Sequence, residues 1–235
     1  MAATLTQLLS ALIFIVLLSG CGSRIDSMQE TIGYAVFGKP DVTLSAEEIA
    51  EQSFPLQYLT LGEQSRITLG LGFDDKGLYK WLSGSQEVMV TKNGRIVQTQ
   101  GLVAQGQQQD LEWVSDLDHD PLACITAGGS DCAQRWSAEV QLGSGLNSRT
   151  LRVNSLFSPR SIETLRAPDG TQLSVQRWQE HVTSGDHSWS NWYWVEQQTH
   201  RVVKSEQQLS LSFPRAHSEE IKPYVRDLNA GEAPQ

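Results

Sequence analysis

Basic residues and cysteines are both scarce in this chain of 235 residues. Lysine and arginine number 18 against 27 aspartates and glutamates, which gives a formal net charge of −9. This balance excludes the basic surface of a nucleic-acid-binding protein and disfavours binding to anionic lipid headgroups. Three cysteines are too few for a small domain built on disulfides, and the chain is long enough to pack a core without a metal or cofactor. We therefore expect no nucleic-acid partner, no metal site and no cofactor.

The N-terminus lacks an apolar run long enough to cross a membrane. The run from Leu8 to Leu18 covers eleven residues, is interrupted only by Ser10, and lies in a stretch, residues 1–20, without charged side chains. A membrane-spanning helix needs about 20 apolar residues, whereas the hydrophobic segment of a signal peptide has about 7 to 15. Residues 1–20 are therefore predicted to be a signal peptide.

The predicted signal peptide is followed by Cys21, within the sequence Leu18-Ser19-Gly20-Cys21. This pattern resembles the lipobox of bacterial lipoproteins. In those precursors a peptidase cuts before the cysteine, the thiol carries a diacylglycerol, and the new amine takes a fatty acid such as palmitate. The match departs in one respect, since no lysine or arginine precedes the apolar run. The alternative is an ordinary signal peptide with a cysteine nearby by chance.

The residues after Cys21 predict how the domain is attached. The next residue is Gly22 rather than an aspartate, which by resemblance to lipoprotein sorting favours the bacterial outer membrane, with the domain facing the periplasm. The acyl chains of such an anchor hold a protein stably on its membrane. Polar and small residues predict a lipidated tether over 21–40. A single β-rich domain is expected over 41–227, and a flexible polar tail over 228–235.

One short helix is predicted at the start of this domain. Ser45 and Glu48 have the spacing of a capping box, in which the serine hydroxyl accepts from the third amide and the glutamate reaches back. Because the residue before a proline avoids helical geometry, the helix should stop near Gln52, ahead of Pro55.

Strands are predicted through most of the remaining chain. The clearest signal is Asn93-Gly94, which joins the runs Glu87 to Lys92 and Arg95 to Thr99 and predicts a hairpin with a type I′ turn. Frequent turns without long helices favour an all-β, mainly antiparallel fold, either a sandwich or a partly open barrel. Later strands are predicted at Trp136 to Leu142, Thr150 to Leu156, Ile162 to Arg166, Gln172 to Trp178, Trp189 to Glu196, and Arg201 to Phe213, the last either continuous or split near Gln207.

The other two cysteines, Cys124 and Cys132, flank a turn-forming segment. In an oxidising periplasm, cysteines this close in sequence favour a structural disulfide. A redox pair more often has two residues between its cysteines, and a zinc site would need a second pair of ligands. The sequence therefore predicts a structural bridge.

Familiar catalytic motifs are absent from the sequence, including the serine-hydrolase elbow, the zincin motif and the phosphate-binding loop. His119 within the acidic run Asp116 to Asp120 is either a cation site or a solvated loop. Glu180-His181 and Asp186-His187, in a predicted loop, are weak candidates for acid–base chemistry. We therefore assign no catalytic residue.

Tryptophans cluster near the C-terminal end of the domain, and four of the seven fall between residues 178 and 194. On a strand, Trp192 and Trp194 share one face, while Tyr193 points to the other. Either these rings fill a wide β core, or one face is an aromatic platform for sugar rings. The candidate platform residues are Trp178, Trp189, Trp192 and Trp194.

Several segments follow one another in a set order along the chain: the lipobox at Cys21, Val42 to Ser45, Trp81, the hairpin through Asn93 to Leu102, Tyr193 to Glu196, Val203 to Gln207, and Ile221 to Pro223. Together, in this order and spacing, they resemble the YjbF/GfcB family of lipoproteins, which are encoded in group 4 capsule and exopolysaccharide operons. No single segment carries the resemblance, and His200-Arg201 departs from it where a glycine is more usual in the turn.

The resemblance implies a β-rich periplasmic lipoprotein with an accessory role in making or exporting surface polysaccharide, and it transfers only Cys21, as the lipidated residue. Three hypotheses follow. The protein is a non-enzymatic component of a secretion system that contacts polysaccharide or a secretion-system protein; it is a structural envelope scaffold that binds a partner protein; or, less favoured, it is a polysaccharide hydrolase or lyase.

Replacing Cys21 with serine tests the predicted anchor. Without a thiol no thioether to the lipid can form, so Cys21→Ser should move the protein from the membrane to the soluble fraction on cell fractionation. Ser19→Ala, which keeps a small residue in the lipobox, is the matched control and should stay with the membrane. Retention of Cys21→Ser in the outer membrane would contradict anchoring through this cysteine alone.

Overall fold

Alternating apolar and polar residues form strands along most of the domain, as the computed structural model shows. It describes residues 41–104, 107–108, 110–143, 148–211 and 213–225. The predicted signal peptide, Cys21, the tether and the C-terminal tail lie outside these residues. Within them the strands are β1 (Leu56–Leu61), β2 (Ile67–Asp75), β3 (Leu78–Leu82), β4 (Val88–Lys92), β5 (Arg95–Gln100), β6 (Val103–Ala104), β7 (Gln107–Gln108), β8 (Leu111–Trp113), β9 (Arg135–Leu142), β10 (Arg149–Arg166), β11 (Gln172–Ser184), β12 (His187–Glu196), β13 (Val202–Gln208) and β14 (Arg215–Lys222).

The predicted N-terminal helix is α1 (Ala46–Glu51). Its capping box forms as expected: the Glu48 amide donates to Ser45 Oγ at 3.2 Å, and the Ser45 amide donates to Glu48 Oε2 at 2.7 Å. The one buried residue of the helix, Ile49, packs on Leu56, Tyr58 and Ile221 at the junction of β1 and β14. No helix in the described part of the chain is long and apolar enough to cross a membrane.

Twelve of the strands form one closed antiparallel barrel, in the order β1-β14-β13-β12-β11-β10-β9-β8-β5-β4-β3-β2 and back to β1. The predicted all-β, mainly antiparallel fold is confirmed. The ring is complete, rather than partly open, because the first and last strands pair along Leu56–Leu61 and Ala216–Lys222. Closure gives the first and last strands a partner, and so removes the two edges that an open sheet would expose to aggregation. The remaining strands, β6 and β7, form a separate two-stranded hairpin.

The turn between β4 and β5 is the one that Asn93-Gly94 predicts. Both residues have positive φ, 52° and 82°, as a type I′ turn requires. A side chain on Gly94 would lie 2.4 Å from Val202 of β13, so the glycine also permits close approach across the barrel. The turn therefore lies against a strand that is distant in the sequence.

A second helix, α2 (Pro121–Thr126), was not predicted. It follows a short 3₁₀ turn, Leu117–His119, in the segment that looked least regular in the sequence. Two neighbouring residues mark the start of α2. Asp120 caps the helix by accepting from the Leu122 amide, and Pro121 occupies the first helical position, where a backbone N–H would have no partner within the helix. Leu122 and Ile125 then pack against barrel residues Phe157 and Tyr193, so α2 covers the barrel interior.

The β10–β11 hairpin is longer than predicted. The two strands expected at Thr150 to Leu156 and Ile162 to Arg166 are one strand, β10, with a register shift between Pro159 and Ile162. A proline cannot donate to a ladder, so the irregularity accommodates it. Beyond this shift, residues near the hairpin tip, Leu165 and Leu173, pack on the outside of the barrel against Trp194 and Val203.

Cys124 and Cys132 are bonded to each other, with their Cα atoms 5.6 Å apart. Since Cys124 lies in α2, the bridge ties the helix to the loop that leads into β9. On the chain-entropy account, closing so short a loop stabilises the folded state by about 2.5 kcal/mol.

Replacing both cysteines with serine should lower the free energy of unfolding by about 2.5 kcal/mol, measured by urea denaturation with tryptophan fluorescence. The control is the wild-type protein unfolded in a reductant, which should reach the same lower stability. An unchanged unfolding midpoint in both cases would show that the loop is held by packing alone.

Candidate functional site

The four tryptophans of the predicted platform do not share a face. In the β11–β12 ladder, Trp178 lies opposite Tyr193, and Val182 lies opposite Trp189. Directly opposed residues of an antiparallel pair point to the same side. Trp178 and Trp189 therefore point inward with Tyr193, whereas Trp192 and Trp194 lie on the outer face.

The inner pair contributes to the core. Trp178 packs beside Phe157 and Tyr193, and Trp189 packs with the cluster around Trp136 and Val153. The sequence left open whether these two rings fill the core or form a platform for sugar rings, and in the structure both rings pack in the core.

The outer pair offers little free aromatic surface. The Arg177 guanidinium lies 4.9 Å from the ring centre of Trp192, and the Lys204 ammonium lies 5.0 Å from that of Trp194. Trp194 is 7% exposed and donates its indole N–H to Glu163. Of the outer pair, only Trp192 is half-exposed, so a glycan contact on the outer face would depend on one ring.

The acidic run around His119 is divided among separate partners. His119 pairs with Asp116 at 2.9 Å, and Lys92 binds Asp118 at 2.7 Å. Asp120 turns away from both into the interior. No group of three potential ligands among histidine, cysteine, aspartate and glutamate is placed to hold a metal in the described part of the chain.

Glu180-His181 lies within β11 and not in the predicted loop. Successive residues of a strand alternate sides, so Glu180 is fully buried inside while His181 is exposed outside. His187 begins β12 at the far end of the hairpin turn and is exposed. The two predicted acid–base pairs therefore do not share one cleft.

The barrel interior contains an ion cluster that sequence reasoning missed, centred on Arg95. Its guanidinium binds Asp120 through Nε at 2.6 Å and Nη2 at 3.1 Å. It also binds Glu180 through Nη1 at 3.1 Å and Nη2 at 3.0 Å. All three side chains are at least 95% buried. Paired two-point contacts of this kind match the planar fork of arginine.

Glu180 is bound by neutral donors as well. Ser155 Oγ, Asn191 Nδ2 and Tyr193 Oη donate to its carboxylate at 2.6, 2.8 and 3.0 Å. Burial alone would raise the pKa of Glu180, but the Arg95 charge and these hydrogen bonds hold it below the usual value. Burial also raises the pKa of Tyr193 well above normal, so that residue stays a neutral donor.

Aromatic rings enclose the Arg95 guanidinium. Trp113 and Trp136 stack on each other with centroids 5.2 Å apart, and their ring centres lie 4.7 and 4.9 Å from the guanidinium carbon. The cluster thus joins β5, β8, β9, β11 and α2 around one cation. Two features of the sequence could have indicated this cluster. Arg95 directly follows the predicted hairpin turn, and Glu180 has the spacing of an inward-facing residue once β11 is extended beyond Trp178.

A cavity of about 220 Å³, here called the mouth cavity, lies at the end of the barrel where β1, β5 and β13 begin and β4, β12 and β14 end. The Trp81 indole N–H donates to Thr91 Oγ1 at 2.9 Å, and the rings of Tyr79 and Tyr224 meet edge to face at 5.4 Å. The lining residues are Gln57, Tyr79, Trp81, Thr91, Asn93, Gly94, Thr126, Thr199, His200, Arg201, Val202, Val203, Ser218, Glu220 and Tyr224.

The charged side of the mouth cavity is built from Arg201 and Glu220. Arg201 Nε and Nη2 donate to the Glu220 carboxylate at 3.3 and 3.2 Å, and Glu196 Oε2 lies 3.8 Å from Arg201 Nη2. Burial raises the pKa of Glu220, although Arg201 opposes the shift. His200, where the family resemblance led us to expect a glycine, has a positive φ of 57° in the adjoining turn.

Removing the central cation tests how much stability the Arg95 cluster provides. Arg95→Met would leave two buried carboxylates without a counter-charge, and the free energy of unfolding should fall by about 3–5 kcal/mol. The matched control is Arg152→Met, which breaks the exposed pair with Glu139 and should cost at most about 1 kcal/mol. Equal losses in urea denaturation of the two variants would contradict a central role for Arg95.

Comparison with known proteins gives a family and a solved fold. Residues 29–217 match the family described as "Group 4 capsule polysaccharide lipoprotein gfcB, YjbF". The chain is 31% identical over 215 residues to the uncharacterized lipoprotein GfcB of Escherichia coli K12, covering 90% of this chain and 96% of that one. It is 27% identical over 207 residues to the uncharacterized lipoprotein YjbF of the same strain, covering 86% and 92%.

The fold is similar to the crystal structure of the hypothetical lipoprotein YmcC from E. coli K12, with a TM-score of 0.69 and 28% identity over 83% of this chain and 96% of that one. The family match covers most of the described barrel, so the resemblance noted from the sequence is confirmed. The chain belongs to the YjbF family of group 4 capsule polysaccharide lipoproteins.

Proposed function

We propose that this protein is a non-enzymatic outer-membrane lipoprotein with an accessory role in capsule or exopolysaccharide assembly or export. The observation that carries the proposal is the family match over residues 29–217, because the description of that family names capsule polysaccharide. In this proposal Cys21 carries the lipid, the barrel faces the periplasm, and its contacts are polysaccharide or secretion-system proteins.

The two buried carboxylates of the Arg95 cluster are not placed for catalysis on a polymer, which supports a non-enzymatic role for the barrel interior. Asp120 and Glu180 are both bound by the same guanidinium, and Glu180 also accepts from three neutral donors. A glycosidase needs two carboxyl groups that face the substrate at a set separation. Groups held this deeply, at 4% and 0% exposure, do not reach a polymer outside the barrel.

Barrel closure bears on the alternative of a structural scaffold. A scaffold that recruits partners by strand addition needs an unpaired edge. Each of the twelve barrel strands has a neighbour on both sides for part of its length, but several end segments, among them parts of β2, β9, β10 and β12, pair on one side only. The β10 segment, from Pro159 to Arg166, carries a proline and a register shift, two features that discourage edge pairing. Because the remaining edges are partial, recognition by side-chain surfaces is favoured over strand addition.

Deleting the gene for this protein should lower the amount of polysaccharide at the cell surface, because an accessory component would be missing from assembly or export. The measurement is surface polysaccharide against the periplasmic pool. Wild-type protein should restore the surface polymer and Cys21→Ser should not, whereas Ser19→Ala is the matched control that should. Normal surface polysaccharide in the deletion strain would contradict the proposal, and release of fragments by purified protein would contradict its non-enzymatic part.

A further inference from the structure

We propose that the mouth cavity binds one neutral sugar residue of the polysaccharide, at Gln57, Tyr224 and Glu220. This inference rests on the proposed function and deepens it, since it places the glycan contact at the end of the barrel. The site differs from the tryptophan platform that the sequence predicts. It is carried by the shape of the cavity, its aromatic walls, one unpartnered amide and the arrangement of its charges.

The size of the cavity limits its ligand to something small. Its volume of about 220 Å³ lies below the roughly 300–1,000 Å³ of pockets that hold drug-sized ligands. A single sugar residue or a chain end suits this space, and a threaded polymer does not.

The aromatic walls suit the apolar face of a sugar ring. Tyr79, Trp81 and Tyr224 line the cavity from β3 and from the segment after β14. The Trp81 indole N–H is already bound to Thr91, so the orientation of its ring is set before a ligand arrives. Because Trp81 is only 7% exposed, the half-buried rings of Tyr79 and Tyr224 offer most of the aromatic surface to C–H groups, and a tyrosine hydroxyl adds a polar contact.

The amide of Gln57 is the most specific feature of the cavity. Gln57 is 8% exposed and lines the cavity, and its Nε2 has no hydrogen-bond partner in the described part of the chain. A buried donor without a partner costs about 1–3 kcal/mol. Gln57 lies opposite Glu220 in the β1–β14 ladder, so the two side chains share the cavity face. Nε2 itself is shielded from solvent, so a small rotation of the amide must bring it to the cavity surface, where it can donate to a sugar hydroxyl that in turn donates to the Glu220 carboxylate.

The charges of the cavity favour a neutral ligand. Glu220 lines the cavity and is already bound to Arg201, whose guanidinium also lies 3.8 Å from Glu196. An anionic ligand would meet the Glu220 carboxylate, and Arg201 could bind that ligand only by giving up part of its pair with Glu220. Neutral hydroxyl groups can instead bridge Glu220 and Arg201. The inferred ligand is therefore a neutral sugar, and the ion pair disfavours uronic acids and phosphorylated sugars.

The test uses the mature lipoprotein in a detergent without sugar headgroups. Oligosaccharides from partial hydrolysis of the host's own extracellular polysaccharide, separated by anion exchange into neutral and acidic fractions, are titrated with tryptophan fluorescence and calorimetry as readouts. The neutral fraction should bind saturably. Binding should weaken by about tenfold or more in Gln57→Leu and in Tyr224→Ala, since each removes a direct contact. Phe73→Ala, an exposed aromatic outside the cavity, is the matched control and should bind normally.

Stability measurements separate binding from folding. Gln57→Leu removes an unpartnered buried amide, so it should unfold at no lower a temperature than wild type while binding more weakly. No binding of the neutral fraction, tighter binding of the acidic fraction, or normal binding by both cavity variants would overturn the proposal. Loss of binding in Trp192→Ala with normal cavity variants would overturn it in favour of the outer face.

The complementation assay keeps the two proposals distinct. If deletion lowers surface polysaccharide and both cavity variants restore it fully, the sugar site is refuted while the proposed function stands. If deletion leaves surface polysaccharide unchanged, the proposed function fails, whatever the titration shows. Partial or no restoration by Gln57→Leu and Tyr224→Ala, with full restoration by Phe73→Ala, supports both.

Discussion

The guanidinium of Arg95, held between two buried carboxylates, is the interaction on which the rest of the structure depends. It connects the start of β5 to the middle of β11 and to the cap of α2, although β8, β9 and β10 separate β5 from β11 in the ring. Burying charges is costly, and a buried ion cluster is weak evidence for stability by itself. We expect it instead to favour one closure of the barrel, because a slip in register would leave a charge unpaired inside.

The Arg95 cluster and the residues next to it also fix the position of the chain at the end of the barrel where the mouth cavity lies. Directly beside Arg95, Gln207 accepts from the Ile96 amide at 3.0 Å and donates to the Gly94 carbonyl at 2.9 Å. These bonds hold the β4–β5 turn against β13, and Gly94 makes the approach possible. Asp120 meanwhile fixes the start of α2, whose Thr126 lines the cavity. The cavity walls are therefore set by the core before any ligand binds, which lowers the ordering cost of recognition.

Local rules predicted what depends on a few neighbouring residues. Ser45 and Glu48 marked α1, Asn93-Gly94 marked the hairpin, and the frequent turns marked an all-β fold. Contacts between distant residues were beyond such rules: Arg95 and Glu180 are 85 positions apart and meet only once the barrel closes. The tryptophans could be predicted only in part. Strand alternation places Trp192 and Trp194 on one face of the strand and Tyr193 on the other, but both faces carry bulky residues, so the sequence did not show which face is interior.

A filled interior also limits how a polysaccharide can use this fold. Arg95, Phe157 and Tyr193 lie inside the barrel, Leu122 of α2 packs against Phe157 and Tyr193, and each of the four is at most 1% exposed. A polymer cannot pass through a core packed in this way, since doing so would separate the ion cluster from its counter-charges. For the proposed function, contact with glycan must then occur at the mouth or on the outer surface. Within the proposed accessory role, this fold therefore suits recognition of a polymer and does not suit its conduction.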